Sequence, residues 1–203
     1  MSAEQVELYG FTYWRLPLVI TGVSEILMHN PVVSMNRSPE EVGRGKSIPP
    51  PEVEAKRGLY ALSDGRLYLP AISLRNSVLG GASKGGFRIR KVALRSLLPA
   101  ALLIEPNEIP LTREGASLTV DGGYTVDVRR AVIKRSGIMR ARPMIMLPWE
   151  CAATAYVDSA LYVTESMLEG FMDVLRFAGQ FIGICDYRPE KSGWFGRFTA
   201  RSG

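Results

Sequence analysis

From Phe11 to Ile20 nearly every position is apolar or aromatic, and Thr21-Gly22 follows. This predicts a long buried strand with an extension towards Met28. The pattern then breaks. His29 to Pro51 holds Asn30-Pro31, Pro39, Gly43, Gly45 and Pro49-Pro50-Pro51 among mixed charges, which marks an insertion spanning 29–60. Tyr60 to Leu69 reads as a short hairpin turning at Asp64-Gly65. Pro70 to Ser73 opens a helix with Ser73 as its N-cap and Leu74, Val78 and Leu79 on one face. It ends in Gly80-Gly81 and Gly85-Gly86. Leu97 to Ile104 reads as a strand, with a short helix as the alternative. Leu111 to Leu147 is hairpin material, with turn signals at Asp121-Gly122 and Ser136-Gly137. Cys151 to Val157 predicts a strand. Thr164 caps a helix through Ala178, with Met167, Phe171, Val174, Leu175 and Ala178 at helical spacing. Short strands at Ile182–Cys185 and Phe195–Thr199 enclose a last, glycine-rich loop.

Without the insertions at 29–60 and 111–148, these elements run β-α-β, then β-α-β. That order predicts an α+β, ferredoxin-like (RRM-like) domain spanning 1–203. A chain of 203 residues can bury a core of its own. The net charge of +5 favours an anionic partner. The two cysteines, Cys151 and Cys185, lack metal or redox spacing, so they are expected to be reduced and buried. No apolar run reaches the ~20 residues of a membrane span, and the N-terminus lacks the basic start and cleavage site of a signal peptide, so secretion is not expected. The expectation is therefore a cytoplasmic protein without a membrane partner, in the host cytoplasm if the gene is viral.

Two segments concentrate cations. One holds Lys84, Arg88, Arg90, Lys91 and Arg95, with no acidic residue between Arg66 and Ile104. The other holds Arg129, Arg130, Lys134, Arg135, Arg140 and Arg142, opposed nearby by Asp127. A charged run is often only a solvated face. Two such runs beside a basic glycine-rich loop favour phosphate contact instead. Arginine outnumbers lysine in the second run, which suits forked phosphate contacts. As a hairpin it would carry Ile138 and Met139 near its tip, an apolar wedge between bases. The third site is Gly183–Phe198, with Arg188, Lys191 and Arg197 among glycines and aromatics. Tyr13, Trp14, Trp149 and Phe171 are expected in the core. Trp194 and Phe195 are divided between core and stacking surface.

The segment Leu69-Pro-Ala-Ile-Ser-Leu-Arg-Asn-Ser-Val-Leu-Gly80 resembles the I-P-G-S-S-L-K-G-x-x-R element of the RAMP proteins of CRISPR systems. The segment Gly183–Phe198 resembles their glycine-rich loop before the last strand. The Arg-rich hairpin sits where the guide-RNA-binding backbone subunits carry a thumb. Ala71 and Asn76 depart from glycines common in that element, and the chain is shorter than most such subunits. It resembles a divergent, short member, with viral or mobile-element origin in keeping. The resemblance implies head-to-tail polymerisation along a guide RNA, alongside other CRISPR effector subunits. It implies phosphate contacts from Ser73 and Arg75, a groove lined by Lys84, Arg88 and Lys91, and a thumb over 129–142.

Target-cleaving backbone subunits use an aspartate after the first strand, where this chain has only Glu40 and Glu41 between His29 and Pro51. Guide-processing members often use a histidine, and the one histidine here, His29, stands beside Asn30-Pro31 in a turn-like context. No nucleotide-binding loop, nucleophile elbow or metalloprotease motif is present. The expectation is a non-enzyme without cofactor or metal that binds single-stranded RNA. Three alternatives stay open: a viral binder of single-stranded DNA or RNA, a backbone-subunit mimic that blocks CRISPR complexes, and an RNA-cleaving enzyme using His29.

Overall fold

The computed structural model describes residues 3–32, 49–89, 91–133, 136–161 and 168–203. The fold is mixed α/β, with antiparallel sheets and four α-helices among the described residues. The expected first strand is β2 (Phe11–Gly22), and it is preceded by β1 (Glu4–Leu8). The two join through Tyr9 and Gly10, both left-handed at φ 55° and 79°. This hairpin was hidden in the sequence, because a left-handed tyrosine is uncommon. The apolar run does continue, but it bends at Val23–Glu25 and changes sheet: β3 (Ile26–Leu27) pairs with β11 (Ser136–Ile145).

The centre of the main sheet is a row of four antiparallel strands in the order β13, β2, β12, β7. Here β7 is Leu102–Glu105, β12 is Glu150–Asp158 and β13 is Phe198–Ser202. Ile20 faces Cys151 across one edge of β2 and Ala200 across the other. The register puts Leu16, Leu18 and Ile20 beside Cys151, Ala153 and Ala155 in the core, since strand side chains alternate between faces. The far side continues through β8 (Glu108–Arg113) to β4 (Tyr68–Pro70) and the short β9 (Ala116–Ser117).

Two helices cover this core. Ala71–Lys84 (α2) buries Leu74, Ser77, Val78 and Gly81, while Leu168–Phe177 (α4) buries Leu168, Phe171, Met172 and Leu175 at helical spacing. They approach closely at Gly81, where an added Cβ would lie 3.0 Å from that of Ala178. A single π-helical turn, Ala178–Ile182, follows α4. Gly179 there lies so near β13 that an added Cβ would stand 2.0 Å from the Phe198 carbonyl oxygen.

Several expectations are corrected. The helix α2 begins at Ala71, two residues before Ser73, with Pro70 at the N-cap position and no side-chain cap. Leu97–Ile104 is split: α3 covers Leu94–Ala101 and β7 follows, so both readings of that segment hold in part. The insertion contains α1 (Pro51–Arg57), which takes its proline at the first turn with Glu52 and Glu54, as helix N-termini favour. Ile182–Cys185 is not a strand, because the chain turns left-handed at Gly183, Cys185 and Tyr187 (φ 74°, 59° and 48°). Residues 33–48, which are half of the predicted insertion, lie outside the described residues, and so do Thr164 and Met167.

The long hairpin pairs β10 (Thr125–Ile133) with β11. Its register closes at Ile133 opposite Ser136, so Ser136-Gly137 belongs to β11 and is not the turn. The short β5 (Arg88–Ile89) and β6 (Val92–Ala93) form another hairpin after α2.

Candidate nucleic-acid interface

The loop 183–197 is a junction reached from three sides. Helix α2 contributes Ser73, whose Oγ accepts a hydrogen bond from the Cys185 N–H at 3.0 Å. Farther along α2, Lys84 Nζ lies 3.4 Å from Glu190 Oε1. From β3 and its approach, Leu27 O accepts from Asp186 N–H at 2.9 Å and Glu25 O accepts from Gly196 N–H at 2.7 Å. The third side is the long hairpin. Arg142 Nε lies 2.8 Å from Asp186 Oδ2 in an ion pair that lacks an aligned hydrogen bond. The Arg129 guanidinium stands 4.7 Å from the ring centre of Phe195, 5.6 Å from Trp194 and 5.7 Å from Tyr187. Asp127 holds it there through two hydrogen bonds of 2.5 Å. Cations over aromatic faces attract through the ring quadrupole.

Glycine makes the loop possible. An added Cβ at Gly193 would fall 1.7 Å from the Tyr187 carbonyl oxygen. At Gly196, left-handed at φ 66°, it would fall 2.1 Å from Ile184 O. Backbone passes over backbone at both points, and only glycine fits.

The predicted cations divide into two groups. Most of the arginines hold the protein together. Arg75 donates from Nε to Leu102 O at 3.1 Å and from Nη2 to Pro99 O, satisfying carbonyls at the end of α3. Arg140 Nε pairs with Glu54 Oε1 at 2.6 Å, tying the hairpin to α1. Arg188 binds Glu190 Oε2 at 2.6 Å and Cys185 O at 2.9 Å. Arg129 and Arg142 are engaged as described, and Lys84 is half-exposed despite its contact with Glu190. The second group is open: Arg88, Lys91, Arg130 and Lys191 are exposed and have no ion-pair partner among the described residues. Arg88 bonds only to the Lys91 carbonyl, and the Arg130 guanidinium lies over Gly137. Arg90, Lys134 and Arg135 lie outside the described residues.

Ile138 faces Ala131 and Met139 faces Arg130, two and three rungs from the hairpin end, and both are exposed. Trp149, Phe171 and Tyr13 are buried, and Trp14 packs against the core. The two undecided aromatics separate: Phe195 is 3% exposed and Trp194 is 55% exposed. Asp186 and Glu54, which root the hairpin, had no signal in the sequence, since acidic residues 44 and 86 positions from their arginines leave no spacing to read. Exposed Arg197 completes the loop's outer side.

A pocket of about 280 Å³ borders this junction, lined among others by His29, Tyr60, Ser73, Asn76, Cys185 and Arg188. Burial raises the Cys185 and Cys151 thiols to about 12, so both are protonated at neutral pH and are poor nucleophiles. Burial likewise raises Tyr60 to about 12. His29 is lowered, first by burial and then by Arg142 and Arg140, against Asp186 and Glu54, which raise it. A histidine lowered in the fold binds fewer protons folded than unfolded. Its contribution is complete above the unfolded value of about 6.5 and is lost as pH falls towards the folded value. Because the chain has one histidine, proton NMR of its ring tests this without ambiguity. The expected midpoint lies below 6.5, and a midpoint above it would remove this description of the junction.

No family model matches the chain, and no curated protein matches it. Among solved structures, the chain is similar to one in the cryo-electron microscopy structure of the type III-B Cmr-beta bound to cognate target RNA. The identity is 14%, the TM-score 0.51, and the match covers 93% of this chain. It spans 59% of the length of that neighbour. At this identity the likeness is one of fold: the chain has a fold like that of a subunit from an RNA-bound type III-B assembly.

Proposed function

We propose that this chain is a non-catalytic, single-stranded RNA-binding subunit of RAMP type, assembling head to tail in a CRISPR effector context. The observation that carries the proposal is the rooting of an arginine-rich hairpin on a glycine-rich loop, beside the helix that follows the main strand. The loop's own acids, Asp186 and Glu190, pair with Arg142, Lys84 and Arg188, while Arg88, Lys91, Arg130 and Lys191 are left for a phosphate backbone. The row β13, β2, β12, β7 is the order of a ferredoxin-like sheet and supports that core, with the hairpin as a thumb. The fold likeness to a chain of an RNA-bound assembly points the same way. For self-assembly, Tyr9 and Phe11 at the tip of the first hairpin are 79% and 62% exposed and offer an apolar contact to a neighbouring copy. Phosphate contact carries no base sequence, so the protein accepts RNA of any sequence.

The test is retention of nucleic acid through purification. Scattering mass and the 260/280 nm absorbance ratio are measured before and after ribonuclease or deoxyribonuclease. A large, ultraviolet-rich particle that shrinks only with ribonuclease is expected. Shrinkage only with deoxyribonuclease would replace RNA by DNA. A clean monomer whose size no nuclease changes would reject assembly along a strand.

A further inference from the structure

Trp194 is an unusual residue to leave in water. Of the three tryptophans, Trp149 is fully buried and Trp14 packs against the core, whereas Trp194 is 55% exposed. It is also held in place. Ser24 Oγ donates to the Trp194 carbonyl at 2.9 Å and accepts from the Arg197 N–H at 2.9 Å. Gly193 and Gly196 flank it with no room for side chains. The indole leans on Phe195 at a centroid distance of 5.6 Å and 33°, meets Tyr187 at 5.8 Å and 62°, and has Arg129 over it. A large aromatic plane is thus fixed in advance, with more than half its surface still in solvent.

Its surroundings select the occupant. Asp127, Asp186 and Glu190 nearby are each paired with an arginine. Lys191 and Arg197 on the same loop are exposed and have no ion-pair partner among the described residues. A flat face between unneutralised cations fits a planar ring joined to an anion. Phe195 beside it is buried and Val23, whose N–H bonds to Arg197 O, is exposed, a small apolar rim that suits one planar ring better than a broad protein surface.

We propose that Trp194 is a stacking platform for one unpaired nucleobase, with Lys191 and Arg197 holding the phosphates on either side of that nucleotide. This rests on the RNA-binding reading and sharpens it. The site takes a single-stranded nucleotide, because a base in a duplex has no free face. It is blind to base identity, because every base has a π-face.

The experiment compares two labelled oligomers of equal length and charge by fluorescence anisotropy. One is oligouridylate, and the other is the same ribose-phosphate chain without bases. Trp194→Ala is expected to weaken oligouridylate binding about tenfold and to leave the abasic chain unchanged. Trp194→Phe restores most of the loss. Oligouridylate also quenches the emission of the wild-type protein, and this quenching is absent in Trp194→Ala. Equal oligouridylate affinity for wild type and Trp194→Ala would overturn the stacking site while leaving RNA binding intact. Loss of self-association with unchanged RNA affinity would overturn it in favour of a protein contact. Failure of the wild type to bind either oligomer would remove the RNA-binding reading, and the stacking site with it.

Discussion

Replacing Arg88, Lys91, Arg130 and Lys191 together by glutamine is expected to lower affinity for single-stranded RNA by about two to three orders of magnitude at 0.1 M salt. These four are exposed and do not form ion pairs with the described residues, so the change removes charge without opening the core. Each phosphate neutralised on a single strand contributes about 0.7 to the slope of log affinity against log salt. Four lost contacts therefore flatten that slope by about 3. The matching control is Arg140→Gln with Arg142→Gln. Those arginines are committed to Glu54 and Asp186, so their loss should appear mainly as destabilisation of the hairpin. A four-site variant with wild-type slope would move the strand to another face of the protein. The salt titration separates these outcomes, and the unfolding midpoint of each variant checks that the fold is kept.

Trp149→Ala is expected to cost about 4 kcal/mol of stability, within the range for deleting a buried tryptophan. The indole is fully buried. It lies so close under β2 that an added Cβ at Gly22 would come within 2.3 Å of it. Its Nε1 donates to Ser24 O at 2.8 Å, so truncation also leaves that carbonyl unpaired. Ser24 is the residue whose hydroxyl holds both Trp194 and Arg197, so the damage reaches the loop 183–197 through a short chain of contacts. For a domain of this length, about 4 kcal/mol lowers the melting temperature by roughly 8–16 °C. Denaturant melts followed by circular dichroism measure it directly. A loss below about 1 kcal/mol would mean that the indole is not the packing centre its burial indicates.

Much of the frame was legible because the relevant signals are local. Phe11–Gly22 and Glu150–Asp158 announce themselves as apolar runs, and Phe171, Val174 and Leu175 announce α4 by spacing. The Asp64-Gly65 and Asp121-Gly122 turns follow from glycines that are left-handed at φ 84° and 90°. What escaped depends on partners distant in sequence. Ser73 has the look of an N-cap, but its hydroxyl serves Cys185, 112 positions away. Leu94–Ala101 carries Pro99 inside a helix, and its terminal carbonyls are satisfied from outside by Arg75. No local rule anticipates that support. The basic segments were visible as charge, but charge does not distinguish Arg140, spent on Glu54, from Arg130, left in solvent. Only the fold separates cations that bind the protein to itself from those available to a ligand.

The most direct test of RNA binding is an equilibrium titration of the wild-type protein with a labelled single-stranded RNA at several salt concentrations. Saturable binding that weakens steeply as salt rises is the predicted result, with a slope of at least about 3 from Arg88, Lys91, Arg130 and Lys191. Absence of binding at low salt, or binding that salt leaves unchanged, would contradict it.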